Sequence, residues 1–291
     1  MTQFPLLIKT KFRLYWSLTK SMQTNLLLST GLAGYMTARC PVIHWMMLVG
    51  LAISLFLAIA GSTILNMWYD RDIDANMKRT CSRPLAAGKV TASESLLLGL
   101  VLSFSGVGMA VAVNPLYGSV VFAGLFCDVV VYTIWLKRRT PWSIIWGGIA
   151  GGMPILAGRS LGTGQIEWIG ILLAMAVLFW IPTHIMTFSI RYHEDYERAG
   201  IPTFSSAYGF QITRIGIAIS SLAAAFTIGL ALFWLGASWG YLRLMVVLSG
   251  GLIALAIGSL VSPSERLNFG LFKYASLFML SSMILLIMAT L

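Results

Sequence analysis

The 291-residue chain is 58% hydrophobic and only 10% charged, with a mean hydropathy of +0.83. That composition excludes a soluble domain and fits a polytopic helical membrane protein. Its apolar runs are continuous rather than alternating, which argues against a membrane β-barrel. The net charge of +10 lies in short clusters between those runs, an orientation signal rather than a nucleic-acid surface.

In chain order, Met1 to Lys20 reads as a basic, aromatic amphipathic segment at the membrane interface, without a cleavable signal. Nine spanning helices are expected at 23–38, 44–66, 92–113, 116–135, 142–160, 166–190, 212–236, 240–261 and 269–290. They form one all-α domain over 1–291, with 1–22 as the interfacial segment and 66–90 and 191–211 as loops. Arg39-Cys40-Pro41 and Asn114-Pro115 mark loop boundaries. Gly147, Gly148, Gly151 and Gly152 give the fifth helix a small face suited to close packing. Cys40, Cys81 and Cys127 are isolated, which gives disulfide or zinc roles little support. Of the 20 Lys and Arg, all but Arg39, Arg159 and Arg243 fall on one side when the N-terminus is placed inside. That asymmetry puts the N-terminus in the cytoplasm, and a prokaryotic plasma membrane is the simplest address.

Charges are scarce and yet concentrated at the end of the second predicted helix, in Asn66-Met-Trp-Tyr-Asp70-Arg-Asp72-Ile-Asp74. If the helix continues past Asn66, residues four apart stack, so Asn66, Asp70 and Asp74 form an oxygen-ligand stripe and Asp72 points elsewhere. Such a stripe suits a hard divalent cation. Mg²⁺ in particular is held by one or two carboxylates with substrate phosphates completing its shell. Lys78, Arg79 and Arg83, just downstream, suit those phosphates.

A second acidic cluster, His193-Glu194-Asp195-Tyr196-Glu197, follows the sixth predicted helix and opens toward the same face. The four-helix spacing hints at an internal duplication. Facing each other, the two clusters can hold divalent ions around one diphosphate. Lys137 and Arg138, between the fourth and fifth helices, reach the same face. Asp128 lies at membrane depth, where a carboxylate is either functional or a hydrogen-bonded packing residue. His184 is a second such position, a candidate ligand or a satisfied buried imidazole. Trp68, Tyr69, Tyr132 and Trp135 are candidates for shielding a cation or for an interfacial belt.

The first motif resembles the Asn-(Asp)-x-x-Asp-x-x-x-Asp signature of the UbiA-type intramembrane prenyltransferases. The likeness extends through Met77, Arg79-Thr80, Arg83-Pro84-Leu85 and Gly88. It continues in Tyr132-Thr133, Trp135-Leu-Lys-Arg138, Thr140-Pro141, Gly147-Gly148, Ala150-Gly151 and Pro154, and then in His184, Glu194-Asp195-Tyr196 and Ala199-Gly-Ile-Pro202. The Met-x-Arg-Thr-x-x-Arg-Pro-Leu tail and the His element are similar to the haem-modifying branch of that family. There are departures: Met67 stands in the second motif position, Arg191 stands four before Asp195, and His184 lies in Pro-Thr-His-Ile-Met rather than Pro-Pro-His-Phe-Trp. The last leaves the acceptor pocket less defined than the diphosphate site.

The resemblance implies a UbiA-type helical fold and transfer of a farnesyl group from farnesyl diphosphate to a vinyl group of protohaem IX (haem B), with water adding to give haem O. It implies Mg²⁺ bound by Asn66, Asp70, Asp74, Glu194 and Asp195, with Asp70, Asp74 and Asp195 catalytic. Lys78, Arg79, Arg83, Lys137 and Arg138 would hold the diphosphate, and His184 would contact the haem. Expected partners are the bilayer and a haem A synthase, with no nucleic acid. The alternatives are an aromatic quinone precursor or glycerol-ether lipid as acceptor and, in another class, a secondary transporter.

Overall fold

A computed structural model describes residues 3–38 and 44–290, with side chains described from residue 11 onward. The expected break at Arg39-Cys40-Pro41 lies outside the described residues. Among those described, the chain is helical throughout, with no strand. Helix α1 (Gln3–Leu18) precedes α2 (Ser21–Met36), α3 (Trp45–Tyr69), the short α4 (Arg71–Asn76) and α5 (Ala92–Val113). Then come α6 (Pro115–Phe126), α7 (Ser143–Thr163), α8 (Trp168–Arg191), the short α9 (His193–Arg198), α10 (Phe204–Trp234), α11 (Trp239–Val261) and α12 (Glu265–Met288).

Seven of these, α3, α5, α6 with its extension to Leu136, α8, α10, α11 and α12, are long and apolar enough to cross a membrane. The other two expected spans are α2, only 16 residues long, and α7, whose apolar run is diluted by glycine and Arg159. Both are central. Inside a bilayer, apolar burial gives little reason for helices to associate, so close approach of small residues does that work. A Cβ on Gly34 would lie 2.1 Å from the Ile155 carbonyl oxygen, and one on Gly158 would lie 1.9 Å from that of Gly31. The backbones of α2 and α7 therefore touch. The expected small face of α7 is used too: a Cβ on Gly152 would meet the Ala174 carbonyl of α8 at 2.6 Å.

Two departures from the predicted spans have local causes. From Cys127 to Leu136 the chain winds as a π-helix, with the Lys137 N–H donating to the Tyr132 carbonyl five residues back at 2.8 Å. The tenth helix starts at Phe204 rather than 212, because Thr203 caps it reciprocally with Ser206, and it is interrupted at Gly209 (φ 81°, ψ 167°).

The duplication suggested by the acidic clusters has a structural counterpart. In each half the second and third helices pack most closely, α3 on α5 and α8 on α10. Each second helix runs into a six-residue helix, α4 or α9. Each loop then reaches a left-handed glycine, Gly88 (φ 70°) or Gly200 (φ 68°), three residues before a threonine N-cap with a capping box, Thr91 or Thr203. The apolar core divides accordingly. One cluster draws chiefly on α7, α8, α10, α11 and α12, and the other on α2, α3, α5, α6 and α7.

Gly158→Val is expected to destabilise the protein by at least the 1–3 kcal/mol typical of overpacking, because a backbone carbonyl cannot yield as a side chain can. Thermal unfolding in detergent, compared with an alanine change at the unobstructed Gly229, measures this.

Candidate active site

A cavity of about 450 Å³ opens between the two halves, walled by α2, α3, α6 with its π-helical extension, α7, α8 and α12. Its most polar wall comes from α3 and α4. The chain passes from one helix to the other with little break, the Asp74 N–H donating to the Asp70 carbonyl at 2.8 Å. Asn66, Asp70 and Asp74 accordingly share one face and all line the cavity, while Asp72 points outward. Ser62, one turn earlier on the same stripe, lines it too.

Asp70 and Asp74 are buried, and each is paired with a cation from another segment. Lys137, just after the π-helix, contacts Asp70 Oδ2, and Arg83 Nη1 donates to both Asp74 oxygens at 2.7 and 2.9 Å. Burial opposes the Lys137 charge, but Tyr132 and Asp70 outweigh it and hold the ammonium above its ordinary value. Asp70 Oδ1 is buried without a hydrogen bond, and Arg138 Nη2 lies 3.7 Å from it. An orphaned oxygen in an all-oxygen donor set fits a hard divalent ion. Among the described residues no three His, Cys, Asp or Glu side chains converge as a self-sufficient chelate.

Other expected site residues are placed differently. Arg138 straps α4 from outside the cavity. It donates to both Asp72 oxygens at 2.8 Å and to the Tyr69 carbonyl at 2.7 Å, and the first of these bonds lowers the Asp72 pKa. Lys78 is exposed and off the cavity. Glu194 is exposed as well and lies outside the cavity lining. Asp195 is buried but also outside the cavity lining. Its oxygens accept from the Lys78 and Arg79 backbone N–H groups at 3.3 Å each, and from Arg198 at 3.5 Å. The second motif's acid thus holds the first motif's loop in place. Arg79 and Arg83 both line the cavity. Of the four aromatic candidates, Tyr132 faces the cavity; Trp68 and Tyr69 lie beneath Arg71 and Arg138, and Trp135 is exposed.

Asp128 lines the cavity at the start of the π-helix and is hydrogen-bonded. Its Oδ2 accepts from Ser62 Oγ and from Asn66 Nδ2 at 2.9 Å, while Thr133 Oγ1 donates to Asn66 Oδ1 at 2.6 Å. This network sets the rotamer of the motif asparagine. His184 also lines the cavity, stacked between Trp180 (centroids 4.9 Å apart) and Phe272 (4.5 Å), with Nδ1 3.3 Å from Ser276 Oγ.

Lys20 was expected only as an interfacial charge, and it lines the cavity. It joins α1 to α2 in a left-handed conformation, φ 44° and ψ 55°, the one non-glycine residue at positive φ among those described. Such a conformation is costly for a side-chain-bearing residue and is often kept at functional sites. Burial, then the charges of Arg83 and Lys137, pull its pKa from 10.5 to about 7. Lys20, Arg83 and Lys137 together make an anion seat beside two carboxylates.

The UbiA prenyltransferase family model matches residues 27–282. The chain belongs to the UbiA prenyltransferase family. This UbiA enzyme is similar to proteins named protoheme IX farnesyltransferase: 42% identical to that of Thermofilum pendens over 74% of this chain and 75% of the relative, and 34% identical to that of Pyrobaculum islandicum over 94% and 95%. Its fold matches that of a UbiA homologue from Archaeoglobus fulgidus bound to GPP and Mg²⁺, with a TM-score of 0.69, 18% identity, and 94% and 99% of the two chains covered. It also matches a structure described for digeranylgeranylglyceryl phosphate synthase, with a TM-score of 0.79, 17% identity, and 97% and 99% coverage. The UbiA chain is therefore a multi-pass membrane prenyltransferase.

The lowered Lys20 pKa sets a proton linkage. Above pH 7 the native enzyme sheds a proton that the unfolded chain keeps up to about 10.5, so this group's contribution to stability rises with pH across that window. An anion favours the ammonium. Binding of inorganic diphosphate near pH 8 is therefore expected to take up a proton, and the affinity to fall as pH rises. Calorimetry in buffers of different ionisation enthalpy measures the uptake, and Lys20→Met should abolish that part of it.

Proposed function

We propose that this enzyme transfers a farnesyl group from farnesyl diphosphate to a vinyl group of protohaem IX, giving haem O and diphosphate with Mg²⁺ as cofactor. The observation that carries this reading is one cavity with unlike linings: paired carboxylates and an anion seat on one wall, an aromatic wall holding His184, and an apolar chamber beyond them. The relatives' names supply the substrates.

Asp70 and Asp74, with Asn66 beside them, would hold Mg²⁺. Bound there, the ion neutralises charge on the leaving diphosphate. Arg83 and Lys137 exchange a carboxylate for a phosphate oxygen, and Lys20 adds a third cation. The allylic C–O bond breaks with its electron pair on the diphosphate. The vinyl π pair forms the new C–C bond, and water then adds to the resulting cation with release of a proton. Tyr132 lines the cavity beside Lys137, and its π-face would be worth about 0.5–2 kcal/mol to a developing cation. The prenyl tail runs toward Leu55, fifteen residues along α3 from Asp70 and thus about 22 Å of helix away. Apolar walls there keep water from the cation. His184 is the candidate contact to the haem.

The charge asymmetry supports a plasma-membrane enzyme whose Asp70 end faces the cytoplasm, handing haem O to a haem A synthase.

Asp70→Asn and Asp74→Asn are each expected to lower transfer at least 100-fold while leaving the protein folded and inserted, and excess chelator should do the same. Membranes containing the enzyme are incubated with labelled farnesyl diphosphate and either protohaem or an aromatic acid. Label appearing only in the aromatic acid, or persisting in both variants, would sink the reading. His184→Ala should weaken protohaem binding, read from its Soret band.

A further inference from the structure

The matched halves each carry a helix stripe that lines the same cavity, the second from Trp180 to Phe188. On α3 the stripe is polar, Ser62, Asn66 and Asp70, continuing to Asp74 on α4. At the same i, i+4 spacing, α8 and its C-cap carry Trp180, His184, Phe188 and Tyr192. Aligned on the residues that precede α4 and α9, Asp70 corresponds to Tyr192, Asn66 to Phe188 and Ser62 to His184. The aromatic stripe is a continuous wall: Phe272 of α12 lies 4.5 Å from His184 and 5.5 Å from Phe188, and Phe188 lies 4.6 Å from Tyr192.

Arg79 leaves the first motif and comes to rest on that wall. Its guanidinium sits 4.7 Å from the Phe188 ring centroid and 5.4 Å from that of Tyr192. Arg83, Lys137 and Arg138 are each paired with a carboxylate, but among the described residues Arg79 is paired with none. Its Nε is buried without a hydrogen bond. Lys20, the other unpaired cavity cation, belongs with Arg83 and Lys137, whose charges it feels. Asp195 fixes Arg79 from behind, through the backbone N–H at 3.3 Å, and leaves the side chain free.

A stacked, unpaired guanidinium beside a flat aromatic wall is suited to a planar ring system that carries a carboxylate. We infer that Arg79 binds the acceptor and not the diphosphate: it pairs with a propionate of the macrocycle whose face lies along Phe188 and His184. Arg79 and Arg83, four residues apart in one motif, thereby serve different substrates. This rests on protohaem being the acceptor.

The test compares protohaem with protohaem dimethyl ester, whose carboxylates are blocked, by Soret titration of the purified enzyme. Wild type should prefer protohaem by about 10- to 100-fold. Arg79→Gln should bind both alike while keeping wild-type affinity for farnesyl diphosphate. Should the glutamine variant fail to fold, Arg79→Lys gives the same comparison, with the preference reduced but present. An unchanged preference in both variants, or a loss confined to farnesyl diphosphate affinity, overturns the proposal and leaves the acceptor reading standing. Wild type that binds neither porphyrin overturns the acceptor reading itself, and the proposal with it.

Discussion

Two carboxylates buried at the mouth of a membrane helix are the constraint around which this molecule is built. Removing an ion from water costs several kcal/mol even after relaxation, and leaving one unpaired costs about 3–5 kcal/mol. Asp70 and Asp74 meet that cost with Lys137 and Arg83, which come from different loops. The pairing therefore ties the turn after the π-helix and the loop before α5 to the end of α3. It also leaves the site poised, since each cation that neutralises a carboxylate is of the kind a diphosphate needs. An anion and a divalent ion arriving together would re-pair both charges without any group being stranded.

Other devices hold this arrangement still. Asp195 grips the backbone beyond α4 from the second half of the molecule, and Arg138 grips α4 from outside. Asp128, Ser62 and Thr133 set Asn66 from within the bundle. The π-helix serves the last of these, since its wider turn lets the Thr133 hydroxyl reach both the Asp128 carbonyl and Asn66. π-Helical turns recur at functional sites because they displace side chains that an α-helix would keep in register.

Most of the fold was legible from apolar runs, since a bilayer tolerates few alternatives to the helix. The stripe of Asn66, Asp70 and Asp74 was legible as well, being a consequence of helical period alone. Ser62 could have been found by stepping the same period back one turn. What lay beyond reach depended on backbone geometry that no residue type announces. Lys20 reads as one more interfacial lysine until a left-handed turn aims it into the cavity. The pattern showed that Lys78, Arg79, Arg83, Lys137 and Arg138 share a face; it did not show which of them point inward. Where Asp195 sits was hidden for a related reason. An acid near a motif looks like a ligand, and whether it takes a metal or a pair of backbone N–H groups is decided by a few ångströms of tertiary packing.

The duplication gives these details a common logic. Two similarly built half-bundles supply a helix stripe each to one cavity, and the two walls they make are unlike. The first half has kept oxygens at its stripe positions. The second carries rings at the equivalent places, and its acid accepts from backbone N–H groups. A second acidic stripe at Phe188 and Tyr192 would have placed like charges across a narrow, poorly screened space. Rings there remove that repulsion and leave the Arg79 guanidinium unpaired. An unpaired cation on an aromatic wall is costly to keep in an empty enzyme, and an anionic, planar partner of the kind inferred above would recover that cost by filling the space.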